Sequence, residues 1–323
     1  MHTMKDPGII FMGTPEFAVE SLRSIINAGF TVKGVVTAPD KPSGRGLQLH
    51  ASPVKEFALA HKLNVFEPHK LKDQEFINKL KDLRAGLFVV VAFRMLPEEI
   101  WSMPEFGTFN LHASLLPQYR GAAPVNWAII NGEKKTGLTT FYINHAIDEG
   151  KIILSKEVEI GSSETAGELH DRLMVMGGDL VVKTIERITS GQVNAVEQTL
   201  PENKVPLKTA PKIHRNQCKI NWNREAEEIF NFVRGLSPYP GAWTELMNQK
   251  GEILTLKLFF TQPSEQPHKE IPGNLISDGK TFLKAAVRNG FVFIEKLQLQ
   301  GKKPMNVNEF LRGFPSVENC RLL

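Results

Sequence analysis

The strongest constraint on this chain is the run Leu87 to Phe93 (LFVVVAF), apolar throughout and β-branched in its middle. A half-exposed strand alternates polar and apolar residues, whereas one apolar on both faces must be covered on both. The run therefore belongs at the centre of a sheet flanked by helices. Gly8 to Gly13 (GIIFMG) is a second such run, and Pro15 follows where a helix can begin, because proline is tolerated in a first helical turn. Phe17, Leu22, Ile25 and Ile26 recur at helical spacing until Gly29, and Val32 to Thr37 reads as the next strand. Strand, helix and strand fit within about 30 residues, the size of a parallel βαβ unit.

The same reading continues along the chain. Ala38 to Leu49, rich in Gly, Pro and charge, reads as an exposed loop, and Ser52 before Pro53 caps a helix through Leu63. Gly107 to Leu111 is a further strand, Pro124 to Ile130 a helix behind the turn at Gly121, and Gly137 to Ile143 an alternating strand. Lys151 to Ile160 carries charges at alternate positions, as a half-exposed edge strand does. Thr165 to Ile188 is a long helical pattern with weak points at Gly177 and Gly178, closed by Ser190 and Gly191. The expectation is an α/β domain with a Rossmann-like parallel or mixed sheet over residues 1–190. Residues 191–207, polar and containing Pro201 and Pro206, read as a linker or a wrapping strand. Beyond them, one helix (Arg224 to Gly235) precedes short strands at Ala242–Leu246, Ile253–Phe260, Gly273–Ser277, Thr281–Ala286 and Phe291–Leu297. That pattern predicts a smaller OB-like β-barrel over 208–323, with an ordinary dimerisation domain as the competing explanation.

Composition narrows the class. A chain of 323 residues exceeds one domain of usual size. Cys218 and Cys320 are too few for a disulfide scaffold and lack zinc-site spacing, which suits a reducing compartment and leaves no metal expected. Met1 to Ile10 holds no apolar run of signal or membrane-span length, so the cytoplasm is expected, without a membrane partner. From residue 205 onward there are 17 basic and 11 acidic side chains, against 22 and 24 before it. The C-terminal part is thus the positive one, a field that attracts phosphate or is simply a solvated basic surface.

Chemistry concentrates in Phe109 to Pro124 (FNLHASLLPQYRGAAP). Gly13 opens no dinucleotide fingerprint, because Thr14, Pro15 and Glu16 follow it, and a lysine-bearing phosphate loop is missing too. Asn110 and His112 stand two apart at the end of a strand, so period two sends both to one face and Leu111 to the other. A carboxamide and an imidazole there can hold an oxyanion and move a proton; a histidine at a strand end can also be merely structural. Asp148, in the AIDEG turn (Ala146 to Gly150), is either a turn former or the carboxylate that orients His112.

These residues carry a resemblance. Asn110 to Pro124, with Ser114-Leu115-Leu116-Pro117 inside it, is similar to the signature of formyl-tetrahydrofolate enzymes, and Arg120 to Pro124 resembles the members acting on tRNA or amino sugars. Phe11 to Phe17 (FMGTPEF), Asp40 to Gly46 (DKPSGRG) and Lys302-Lys303-Pro304-Met305 resemble the methionyl-tRNA formyltransferase family, and the likeness spans nearly the whole chain. The resemblance implies Asn110, His112 and Asp148 as the catalytic trio. It implies 10-formyltetrahydrofolate as co-substrate, held by Phe93, Arg94, Met95, Leu96, Ser114, Leu115, Leu116, Pro117 and Ala146. It also implies initiator methionyl-tRNA as partner, met by Lys41, Arg45, Lys212, Lys302 and Lys303, and a monomer.

Three places depart from the family pattern. Ala85-Gly86 stands where many members have Ala-Asp, and Ala92-Phe93-Arg94 where many have Ala-Tyr-Gly. Asp148-Glu149-Gly150 replaces the usual Asp-Thr-Gly, with Glu149 expected to face solvent. The rival readings are a formyltransferase for an amino sugar nucleotide, which would lack use for Arg45 and the basic C-terminal part, and an inactive formyltransferase-like RNA-binding protein.

Overall fold

The two apolar runs lie side by side. Strand β1 (Ile9–Gly13) pairs in parallel with β6 (Leu87–Val91), in register from Ile9 opposite Leu87 to Gly13 opposite Val91. Every residue of both strands is buried, as continuous hydrophobicity requires. The computed structural model describes residues 6–43, 48–199, 206–314 and 317–323. They form two compact units: Met1–Gly121, Thr136–Val158 and His170–Thr209 make the first, and Ala122–Lys135, Glu159–Leu169 and Ala210–Leu323 the second. The sequence expectation was a contiguous division at 190 and 208, whereas the units interleave.

In the first unit α1 (Glu16–Asn27) leads to β2 (Val32–Val36), which pairs in parallel with β1. Residues 38–49 were expected as a loop; Lys41–Ser43 (β3) and Gln48–His50 (β4) instead pair as an antiparallel hairpin, Lys41 opposite His50 and Ser43 opposite Gln48. Arg45 lies outside the described residues. The β3–β4 hairpin is held at its base by Lys55, whose ammonium meets Asp40 at 2.8 Å and Glu67 at 2.8 Å. Lys55 belongs to α2 (Pro53–Ala60), where Ser52 caps the first turn by accepting the Lys55 amide. Then come β5 (Val65–Phe66), α3 (Gln74–Asp82), β6, α4 (Glu98–Trp101) and β7 (Thr108–His112). Asp73 starts α3 by accepting the Glu75 amide, the cap expected of an aspartate at that position.

After β8 (Arg120–Gly121) and α5 (Pro124–Ile130), β9 (Lys135–Tyr142) runs antiparallel to β7 and continues to β10 (Ile152–Glu159). The seven-stranded order is β10-β9-β7-β6-β1-β2-β5. Ile10, Met12, Phe88 and Val90 share one face with Phe76, Ile77 and Leu80 of α3 and Ile100 of α4. On the other face Leu111 meets helix α6 (Ala166–Thr189). The two glycines that weaken this helix on paper are contact points: a Cβ on Gly177 would lie 2.8 Å from Leu111 Cδ2, and one on Gly178 would lie 2.3 Å from Ser24 Oγ in α1. Close approach of helix to sheet and helix to helix, not helix propensity, selects glycine there.

The second unit is a barrel with helices against it. After the short β11 (Thr209–Ala210), α7 (Ala226–Leu236) buries Ile229, Val233 and Leu236. Its buried Arg234 donates to the carbonyls of Glu164 (2.9 Å) and Gly161 (3.3 Å), and burial pulls that guanidinium below its usual value. Strands β12 (Ala242–Met247), β13 (Ile253–Glu265), β14 (Leu275–Ser277), β15 (Leu283–Val287), β16 (Gly290–Leu299), β17 (Met305–Asn306) and β18 (Arg321–Leu322) follow, with α8 (Val307–Gly313) before the last. Their order is β14-β15-β16-β13-β12-β18, with β17 on β16. The two ends meet, because the Leu322 amide donates to Gly273 O at 2.9 Å and Asn274 bridges Arg321. The result is a nearly closed barrel around Leu256, Leu258, Val292, Ile294 and Leu297. Among the described residues no helix is long and apolar enough to cross a membrane.

Candidate active site

Three strands of the first unit end together. Val91 of β6 pairs with Gly13 of β1 and Leu111 of β7, so Thr14, Ala92 and His112 leave the sheet along one carboxyl rim, where ligands of open α/β sheets bind. Val90 lies opposite Asn110, which puts Asn110 on the Met12–Val90 face, and the two-residue repeat carries His112 to that same face at the rim. Leu111 faces the other way, against α6. The alternation read from sequence is therefore what the strand does.

His112 is 6 % exposed. Its Nε2 lies 2.9 Å from the Tyr119 carbonyl, an oxygen that can only accept, so this nitrogen carries a hydrogen. Nδ1 is then the nitrogen free to gain or lose a proton, and it stands 4.0 Å from Oδ2 of Asp148. That separation exceeds a hydrogen bond. The carboxylate is close enough to act on charge formed at Nδ1. Asn110 is half-buried, and among the described residues its carboxamide has no hydrogen-bond partner. It is a donor and acceptor held ready at the rim.

Backbone in unusual conformations delivers the partners. Ala92, Tyr119 and Asp148 all have left-handed φ, at 47°, 61° and 56°, which is costly for residues other than glycine and characteristic of functional sites. Asp148 Oδ2 accepts the Gly121 amide at 3.0 Å. Gly150 closes the same turn so tightly that a Cβ there would lie 1.6 Å from Tyr142 O.

The other residues expected at the site divide by position. Ser114 is fully buried and gives its hydroxyl to Gln118 O at 2.7 Å, while Leu116 is 7 % exposed. Leu115 packs on Gly137, and Pro117 is half-buried in the same turn. This segment shapes the turn that brings Tyr119 O under His112. Phe93 is half-buried, Leu96 is buried in the α3–α4 core, and Met95 is 67 % exposed. Arg94 bonds the carbonyls of His69 (3.1 Å) and Pro68, with burial lowering its guanidinium from the ordinary value. Ala146 is exposed, its amide given to Asn144 Oδ1 at 2.9 Å. Among the charged residues expected to meet nucleic acid, Lys41 starts β3. Lys212, Lys302 and Lys303 are exposed residues of the second unit, the last two in the turn between β16 and β17.

Sequence reading passed over Tyr119 and Gln198 and took Arg120 only as part of the Arg120 to Pro124 resemblance. Glu149, expected to face solvent, is exposed, and at that surface its carboxylate pairs with Arg120 Nη1 at 2.7 Å. Gln198, in a polar stretch read as linker, donates to the carbonyls of Asp148 and Gly150. Nothing local in the sequence marks either contact, since the partners are 29 and 50 residues away. Among the described residues no cluster of His, Cys, Asp or Glu could hold a metal ion.

Comparison with known proteins agrees with this layout. The family model "Formyl transferase" matches residues 8–185, and "Formyl transferase, C-terminal domain" matches 212–315. The methionyl-tRNA formyltransferase of Bacteroides fragilis is 49% identical over 98% of this chain and 98% of its own. That of Flavobacterium johnsoniae is 52% identical over 97% of this chain and 98% of its own. Among solved structures, an N-formyltransferase from Helicobacter canadensis, in complex with folinic acid and dTDP-3-aminofucose, shares the fold. Its TM-score is 0.62 at 20% identity, covering 88% of this chain and 97% of that one. With both domain models matched in order and about half of all residues shared along the full length, this chain belongs to the methionyl-tRNA formyltransferase family.

Proposed function

We propose that this protein transfers the formyl group of 10-formyltetrahydrofolate to the α-amino group of the methionine on initiator tRNA, giving N-formylmethionyl-tRNA for translation initiation and tetrahydrofolate. One observation carries the reading: identity of 49% to a methionyl-tRNA formyltransferase runs through 98% of the chain, including the basic C-terminal part. Three solved sugar N-formyltransferases resemble it at 18–20% identity, a level that speaks for shared fold alone.

The chemistry follows from the rim. The amine nitrogen attacks the formyl carbon, the C–N10 bond to the folate breaks, the amine loses a proton and N10 gains one. Asn110, with its carboxamide unspent, donates an N–H to the oxyanion of the tetrahedral intermediate. Such a donor contributes about 3 kcal/mol in the transition state. His112 takes the amine proton at Nδ1 and passes it toward N10, and the Asp148 carboxylate stabilises the imidazolium in between. Tyr119 O holds the ring by its other nitrogen throughout. The apolar side chains of Phe93 and Met95 and the backbone around Ala146 suit the folate ring, the sequence Asp40 to Gly46 with Lys41 and Arg45 suits the acceptor end of the tRNA, and Lys212, Lys302 and Lys303 suit its phosphates. Cytoplasmic residence and a monomeric state complete the reading; the free thiols of Cys218 and Cys320, both buried, accord with a reducing compartment.

The test is a mixed-substrate assay. Purified protein with 10-formyltetrahydrofolate is given methionyl initiator tRNA and, separately, a dTDP-linked amino sugar. Formylation of the tRNA alone is expected, and Arg45→Ala is expected to weaken tRNA use while leaving folate binding unchanged. Equal formylation of the sugar, or indifference to Arg45→Ala, would overturn the assignment.

A further inference from the structure

The turn carrying Asp148 is held from far away in sequence. Val196 exchanges both backbone hydrogen bonds with Ile152 of β10, at 2.7 and 2.9 Å, so the segment after α6 lies along the sheet edge. Two residues on, Gln198 reaches beneath the turn. Its Nε2 donates to Asp148 O and Gly150 O, each at 2.9 Å. Its Oε1 accepts from Arg120 Nε at 3.2 Å and Nη2 at 2.7 Å. Arg120 is fixed in turn by Glu149 at 2.7 Å.

The geometry leaves the amide one orientation. Carbonyls only accept and a guanidinium only donates, so a flipped carboxamide would set N–H against N–H and lone pair against lone pair. Its N–H donors go to the backbone on either side of Glu149 and its oxygen to Arg120. That backbone includes Asp148 at φ 56°, a conformation that costs a non-glycine residue about 1–2 kcal/mol and persists only when its surroundings hold it.

We propose that Gln198 is a positioning residue for formyl transfer: through the Asp148–Gly150 backbone it sets where the Asp148 carboxylate stands relative to Nδ1 of His112, with Arg120 and Glu149 locking its rotamer. The inference rests on Asn110, His112 and Asp148 acting as catalytic groups. Gln198 touches none of the reacting atoms. Its effect is on placement, where an error of about 1 Å can cost on the order of 100-fold in rate.

The experiment measures kcat and both KM values on the full-length protein for Gln198→Leu, Gln198→Glu, Asp148→Asn and the double variant Gln198→Leu/Asp148→Asn, with unfolding midpoints alongside. Gln198→Leu is expected to lower kcat by roughly 10- to 100-fold while each KM stays within about twofold. The double variant should be no slower than Asp148→Asn alone, because the two act through one carboxylate. Gln198→Glu keeps the shape and the acceptor for Arg120 but sets carboxylate oxygen against two carbonyls, so its kcat should fall at least as far. Should Gln198→Leu fail to fold, Gln198→Glu carries the comparison. A loss in the double variant that multiplies the two single losses would overturn the inference, as would wild-type kcat in both Gln198 variants beside a disabled Asp148→Asn. Full activity of Asp148→Asn would instead bring down the catalytic reading beneath it, an outcome told apart by that single variant.

Discussion

Nδ1 of His112, the last residue of β7, stands 4.0 Å from the carboxylate of Asp148 in the turn between β9 and β10. Removing the charge while keeping the shape isolates its role. Asp148→Asn is expected to lower kcat by about 10²–10⁴-fold, the usual worth of a group supporting proton transfer, with the unfolding midpoint changed little. Steady-state kinetics and thermal unfolding of the same preparation decide it; a variant with normal turnover would remove Asp148 from the chemistry.

Asn110 lends itself to a cleaner separation of stability from activity. Its carboxamide has no partner within the described protein, so Asn110→Ala breaks no internal hydrogen bond and should change stability by less than about 0.5 kcal/mol. The same change should cost about 100- to 1,000-fold in kcat by removing an oxyanion donor. A large loss of stability with normal turnover would show that the residue serves the fold instead.

The Asp40–Lys55–Glu67 cluster below the hairpin has a pH signature. Hydrogen bonding to Asp40, then to Glu67, raises the Lys55 ammonium above its ordinary 10.5. A raised lysine contributes its hold fully below the ordinary value and loses it as pH climbs through the raised one. On the alkaline side the hairpin should therefore stay anchored across neutral pH and loosen above about 10.5. Lys55→Met should reproduce the loosened state at neutral pH, raising KM for the tRNA with KM for the folate donor unchanged. Equal changes in both constants would count against the hairpin as a tRNA element.

Gly150 gives the steepest local test. A methyl group there would stand 1.6 Å from Tyr142 O, so Gly150→Ala must displace the turn that presents Asp148. Turnover should fall as far as in Asp148→Asn. Gly178→Ala, by contrast, crowds Ser24 on the far helix and should cost about 1–3 kcal/mol of stability with kcat unchanged. Exchange of these two phenotypes would mean the turn is not what fixes the carboxylate.

Much of this was legible along the chain. The continuous hydrophobicity of Ile9–Gly13 and Leu87–Val91 dictates buried central strands, and the two-residue repeat puts Asn110 and His112 on one face, since both are consequences of local geometry and water exclusion. Resemblance singled out Asp148, but residue order alone left open whether it approached His112. The tertiary structure decided what no local pattern encodes: that Tyr119 O occupies one nitrogen of His112, that the exposed Glu149 pairs with Arg120, and that Gln198 crosses 50 residues of sequence to hold Asp148. It also chose glycine at 177 and 178 for contact. Hydrophobic periodicity reports which face of an element is buried, whereas a hydrogen bond between distant turns depends on where the chain returns, and only the folded packing sets that.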